Sequence, residues 1–243
     1  MNDNKLLLID IETAPNFVLL SRLFPCPPPP KFNSCDVKLG NLKDASKIEA
    51  KIADAERAHA KSVFTWESDH EESMLSSKKV LLKPALSIVC ATGTRMGDSD
   101  DRIALGDNTL AAEKTLLVDL AVEMRDAHAI IGWNIKGFDL PYLSFRWRVH
   151  GIDPPDICRP RGRYYDSAVI DLMEVVADHQ YGNNSALKHV APALGFPPCP
   201  EESGKNFWKT EPERQHRYLK WDVDAVYNVL QRYPEALNSI ASL

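Results

Sequence analysis

Lys5-Leu6-Leu7-Leu8-Ile9-Asp10-Ile11-Glu12-Thr13 is the stretch on which the reading of this chain turns: an apolar run that ends in two carboxylates one residue apart. Bounded by Asn4 and by Thr13-Ala14-Pro15, the run has the composition of a buried strand. Side chains on a strand alternate faces with period two, so Asp10 and Glu12 project together. Two carboxylates crowded at the end of a buried strand repel, and one takes up a proton unless a cation sits between them. Hard divalent cations such as Mg²⁺ or Mn²⁺ suit such oxygen donors. The plain alternative is a strand running into solvent with both acids as surface charge.

The bulk properties limit what can surround this strand. A chain of 243 residues builds one large domain or two small ones, and 44% hydrophobic content is enough for a real core. The sequence shows no basic leader followed by an apolar segment and a small-residue cleavage site, and no apolar run of membrane-spanning length; the expectation is a soluble, cytoplasmic protein with no membrane partner. Cys26, Cys35, Cys90, Cys158 and Cys199 are odd in number and lack zinc or C-x-x-C spacing, which points to reduced thiols. A net charge of -5 gives no global attraction to nucleic acid, so any such binding must come from a local basic surface acting with bound metal.

Past Pro15 the strand pattern dissolves through Phe17 to Phe24 into Pro25-Cys26-Pro27-Pro28-Pro29-Pro30, a stiff extended segment unfit for a sheet interior. From Leu42 to about Phe64 the spacing of Ile48, Ile52 and Ala55 predicts an exposed helix, and the polar stretch Glu67 to Lys79 reads as a loop. Residues 16–83 thus form an excursion, lid or decoration, inserted between the first and second strands of a single domain spanning 1–243. Order resumes with strands at Ala85 to Gly93 and Arg102 to Leu105, a helix from Leu110 to Arg125 and a strand at Ala129 to Trp133. A meander followed by alternating helix and strand indicates an α/β, mixed-sheet domain whose active groups collect at strand ends.

Two further acidic positions follow. Pro141 inside a first turn marks a helix beginning at about Asp139, where an acid serves as a helix cap or as something more. Asn134 and Phe138 flank the same loop and offer an amide and an exposed ring of the kind single-strand sites use. Near the end, Thr210-Glu211-Pro212-Glu213 has capping-box spacing and starts a helix to about Leu230. On it Tyr218 and Asp222 stand four residues apart on one face, in line with Val226 and Leu230, whereas Asp224 reads as a solvated charge.

The order Asp10-x-Glu12-Thr13, Asn134-x-x-x-Phe138-Asp139, Tyr218-x-x-x-Asp222 resembles the three motifs of the DEDD superfamily, the DnaQ-like 3′-to-5′ exonucleases. It looks most like the tyrosine subclass, found in family B DNA polymerase proofreading domains and in stand-alone phage and bacterial exonucleases. The strand at Ala168 to Leu172 and the run Ser185-Ala186-Leu187-Lys188 are similar to elements that precede the third motif there. The resemblance implies a ribonuclease H-like mixed sheet, its first three strands antiparallel and the later ones parallel, flanked by helices. It further implies Asp10, Glu12, Asp139 and Asp222 as ligands of two Mg²⁺ or Mn²⁺ ions and Tyr218 as the residue that positions the attacking water. Thr13, Asn134, Phe138 and Lys188 become candidate substrate contacts. Arg161 and Arg163, in the basic and aromatic run Arg159 to Tyr165, join them, with Arg146-Trp147-Arg148 just upstream.

The reaction so implied is hydrolysis of single-stranded DNA from the 3′ end to nucleoside 5′-monophosphates, with a polymerase or other replication protein as possible partner. A ribonuclease D-like RNA exonuclease and a non-catalytic nucleic-acid or partner-binding module are the competing readings.

Overall fold

The computed structural model describes residues 6–77, 79–160, 165, 168–180, 182, 184–200 and 204–237. Its contacts divide the chain into two compact units, Met1–Asn16 with Leu81–Leu243, and Phe17–Val80.

The first unit is an α/β layer structure built on a mixed sheet of five strands, β1 (Leu6–Pro15), β2 (Ser87–Met96), β3 (Arg102–Leu105), β4 (Ala129–Gly132) and β5 (Val169–Asp171). The strand order is β3-β2-β1-β4-β5. β1, β2 and β3 pair antiparallel, while β4 joins β1, and β5 joins β4, in parallel. This is the ribonuclease H-like arrangement the motifs implied.

The apolar run explains why β1 lies at the centre. Leu7, Ile9 and Ile11 go to one face and pack with Leu117, Leu143 and Trp147 of the helices α3 (Leu110–Asp126) and α4 (Asp139–Val149). Leu8 goes to the other face, with Ile131 of β4 and with Val223 and Val226 of the last long helix, Pro212–Arg232. A strand buried on both faces reads as a continuous hydrophobic run, as this one does. Parallel pairing of β1 with β4 stops at Leu8–Ile131, and β4 itself ends at Gly132. Beyond that point β1 continues without a parallel neighbour, and Asp10 and Glu12 lie on this stretch, past the end of β4, where a sheet of this kind places its site.

In the second unit two sequence expectations need correction. Phe17–Leu23 forms a short helix, α1, which ends before Pro25, and the long helix α2 spans Ala45–Ser77. The polar stretch expected as a loop is therefore helical to Ser77, because it contains neither Gly nor Pro to stop it, and Thr65 donates a hydrogen bond of 2.7 Å to Asp69 within the helix. The Pro-rich segment is tied to this helix by Trp66 Nε1, which donates to the Pro27 carbonyl at 2.8 Å.

The remaining helices of the first unit are α5 (Leu172–Val176), α6 (Leu187–Ala193) and α7, the Pro212–Arg232 helix already met. The expected capping box of α7 is not made. Glu211 occupies the cap position with Pro212 behind it, and the Thr210 hydroxyl turns back to donate to the Phe207 carbonyl at 2.8 Å. No helix among the described residues is long and apolar enough to cross a membrane.

Candidate active site

Three carboxylates meet beside this stretch of β1. One oxygen each from Asp10, Glu12 and Asp222 lies within 4.8 Å of the others, a spacing at which they could hold a metal ion. Asp10 and Glu12 come from β1 as period two requires. Asp222 comes from α7, which can approach the sheet closely because Gly93 of β2, directly across from Asp10, has no side chain. A Cβ at Gly93 would stand 2.8 Å from Cγ2 of Val223, which follows Asp222, and 3.1 Å from Cδ2 of Leu219, which follows Tyr218.

Asp139 reaches the same place from the start of α4. It does not cap that helix: the cap position is Phe138, which makes no side-chain capping bond. Instead Asp139 Oδ1 accepts the Ile11 N–H at 3.3 Å, a donor lying between Asp10 and Glu12 on the part of β1 beyond its pairing with β4. Asp139 and Asp222 are buried and Asp10 and Glu12 half-buried, and no described Lys or Arg forms an ion pair with any of them.

The electrostatics follow. Burial pushes the Asp10 carboxyl up to about 7. Burial, and then the charges of Asp10, Asp222 and Asp139, hold Glu12 well above the usual carboxylate range. Asp139 is raised by burial and by Asp10, and Asp222 by burial and by Asp10 and Asp139, with a hydrogen bond from Tyr218 pulling the other way. At such separations each like-charged pair costs about 3 kcal/mol at an effective dielectric of about 20. The group is unfavourable when fully ionised and becomes favourable once a cation enters it.

Tyr218 lies half-buried, its ring edge-on to Phe207 at 5.9 Å between centroids. Burial and the neighbouring acids Asp222, Glu12 and Asp10 drive its hydroxyl upward, so it is a proton donor throughout the physiological range. Gln215 fixes the turn that carries Phe207 by donating to the Phe207 and Thr210 carbonyls at 2.9 and 3.0 Å.

The other sequence candidates fare differently. Thr13 is buried, and its hydroxyl donates to the Leu81 carbonyl at 3.2 Å. Phe138, expected to present an exposed ring, is half-buried with its ring 5.4 Å from that of Tyr142. Asn134 stands at φ 59°, and its carbonyl accepts from Gly137 and Phe138 N–H. Lys188 is exposed on α6. Arg161 and Arg163, with Tyr164, lie outside the described residues. Arg146 and Trp147 are buried rather than available to a strand, since Arg146 pairs with Glu113 and Trp147 donates to the Leu117 carbonyl. Asp224 stands apart from the acids, salt-bridged to Arg95 and Lys220.

Sequence reasoning missed Asp171. This buried acid at the end of β5 accepts the N–H groups of Asn134 at 2.9 Å and Lys136 at 3.1 Å, as well as that of Met173 in its own helix. It braces the loop that leads into Asp139. The signal available was its place, an acid where a strand passes directly into a helix.

A ribonuclease H-like α/β fold with three acids clustered beside its central strand is the frame in which a family match has to be read. Residues 79–240, more than half of the chain, match the family of predicted 3′-5′ exonucleases related to the exonuclease domain of PolB, and the chain belongs to that family. The match takes in Asp139, Tyr218 and Asp222, and the sheet brings Asp10 and Glu12 to them. Among solved structures, the family B DNA polymerase of the hyperthermophilic archaeon Pyrobaculum calidifontis is similar over 96% of this chain at 16% identity, with a TM-score of 0.48. The chain spans 24% of that polymerase. A comparison with curated proteins finds no match.

Proposed function

We propose that the chain is a divalent-metal-dependent exonuclease that removes nucleoside 5′-monophosphates from the 3′ end of single-stranded DNA. The observation that carries this reading is the convergence of Asp10, Glu12 and Asp222 within 4.8 Å, with no described Lys or Arg paired to them. An all-oxygen donor set with raised proton affinities fits Mg²⁺ or Mn²⁺. Asp10, Glu12, Asp139 and Asp222 would hold the ions, which when bound stabilise charge on the phosphodiester and supply a nucleophile at neutral pH.

The chain's own groups do the rest. Asp139, fixed by the Ile11 N–H, keeps its carboxylate aimed at β1. Tyr218, protonated and donating its hydrogen bond to Asp222, orients water by accepting a hydrogen bond from it, not by removing its proton. The loop of Asn134 and Phe138 and exposed Lys188 are the candidate contacts for the terminal nucleotides. Thr13 contributes through its backbone N–H, which hydrogen-bonds to Glu12, since its hydroxyl is engaged by Leu81.

The test uses 5′-labelled single-stranded DNA and RNA of one sequence with Mg²⁺, Mn²⁺ or EDTA. A one-nucleotide ladder on DNA is expected that requires metal and falls at least about 10³-fold in Asp10→Ala, the loss of several kcal/mol of charge stabilisation. A ladder mainly on RNA would replace the substrate. Degradation of neither would sink the enzymatic reading. In Tyr218→Phe turnover should fall while Mn²⁺ affinity stays.

A further inference from the structure

The second unit carries a cluster that the acidic site does not use. Between the segment Pro30–Lys38 and the first half of α2 lies an open hollow of about 420 Å³. Lys31 and Lys38 border it from the segment and Lys51 from the helix, against a single carboxylate, Asp36. All three lysines are exposed, and none is engaged in an ion pair among the described residues. Phe32 and His59, both half-buried, meet across the hollow with ring centroids 5.5 Å apart and planes tilted by 43°. Every one of these residues belongs to Phe17–Val80, so the hollow is complete within that unit.

We propose that this hollow is a binding site for a single-stranded nucleic acid, holding the strand by its phosphates and by one stacked base. Three separated ammonium groups, each on a flexible stem, match successive phosphates better than a single carboxylate. The paired rings supply the π-face on which a base of any identity stacks, and the volume suits a nucleotide-sized piece of chain. The neighbouring Arg57 adds nothing to the field, because it is paired with Asp54 at 2.6 Å. The net-acidic chain thereby gains a local basic surface. Only the naming of the strand as a substrate rests on the proposed exonuclease activity; the binding itself does not.

The test is fluorescence anisotropy of a labelled 30-nucleotide oligo-dT with the full chain in EDTA, over a series of salt concentrations. The triple variant Lys31→Glu, Lys38→Glu, Lys51→Glu should bind at least tenfold more weakly. Its log K against log salt slope should be shallower by about 2, as expected for three phosphate contacts on a single strand. The milder Lys31→Gln, Lys38→Gln, Lys51→Gln variant should shift both readings the same way. Metal-dependent hydrolysis of a dinucleotide should be unchanged in both variants. Unchanged affinity and slope in the variants, or no binding by the wild type in EDTA, would overturn the site. Competition by dTMP at the affinity of the 30-mer would reduce it to a mononucleotide pocket and overturn the strand assignment. Lysine-dependent binding without hydrolysis of any substrate would leave this site standing and remove the exonuclease reading.

Discussion

One buried acid and a group of four lie in the same α/β unit, and described cationic side chains pair with the first and with none of the second. On the α3 and α4 side, fully buried Glu113 accepts from the Val89 N–H at 2.8 Å, from Arg146 Nε at 2.7 Å and pairs with His150 Nε2 at 2.6 Å. The Val89 N–H is available because the β1–β2 register slips between Glu12 and Thr13, opposite Cys90. Every partner that Glu113 needs is encoded in the chain. Asp10 and Glu12 of β1, Asp222 of α7 and Asp139 of α4 have burial, one another and peptide N–H groups such as that of Ile11, and all four are displaced toward the protonated form. The first cluster is structural because its cation is a side chain. In the proposed reading the second is a site because its cation has to arrive.

The sharpest way to break that contrast is to remove the internal cation or its partner. Glu113→Ala leaves Arg146 buried and unpaired, and should cost about 3–5 kcal/mol of stability, with activity per folded molecule largely kept. Urea unfolding beside turnover numbers measures both. If activity instead collapses in fully folded Glu113→Ala protein, the two clusters are coupled through the bulge and the contrast is wrong.

The opposite response is expected of the four acids. In EDTA, Asp222→Asn removes one like charge and should raise stability by about 1–3 kcal/mol at neutral pH, while abolishing metal-dependent activity. The pH dependence has a definite sign. Asp10 sits near 7 in the folded protein against 3.8 for the free side chain, so the folded state retains a proton that the unfolded state has released. The contribution of Asp10 to the stability of the metal-free protein is therefore full below about 4 and is lost as the pH rises through about 7. Mg²⁺ or Mn²⁺ should flatten that fall, since it binds the ionised carboxylates and displaces their protons. Melting temperatures across this range, with and without metal, decide it; a metal-free protein that grows more stable toward pH 7 would contradict an empty acidic centre.

The sequence made one half of this contrast readable and hid the other. Period two placed Asp10 and Glu12 on one face, and a four-residue interval placed Tyr218 with Asp222, because both patterns are local. The central strand was legible for the same reason, as an apolar run without interruption. Glu113 was only one acid in an amphipathic helix, since its meaning lies in Val89 and Arg146, 24 and 33 positions away. Arg146 and Trp147 looked like surface cation and aromatic for the same cause. The far half of α2 was missed because a polar composition is shared by loops and by exposed helices, and only tertiary or helix-internal bonds distinguish them.

Asp171 supplies the finest test, because it is an acid between the two cases: buried like Glu113, but compensated by peptide N–H groups instead of a cation. It binds the N–H of Asn134, which stands at a positive φ that asparagine adopts more readily than other residues with side chains. Lys136 is bound twice, by its N–H to Asp171 and by its ammonium to Glu174 at 2.8 Å. The loop thus pinned delivers Asp139 to the Ile11 N–H three residues after Lys136. Asp171→Ala should lower Mn²⁺ affinity about 10–100-fold, as for loss of a group that orients a metal ligand, with turnover falling in step at subsaturating metal. Asp171→Asn, which keeps an acceptor for Asn134 and Met173, should lose less. Recovery of Asp171→Ala activity at high Mn²⁺ would locate the defect in ligand placement. Unchanged metal affinity in both variants would mean that α4 alone positions Asp139, and that the bracing loop serves stability only.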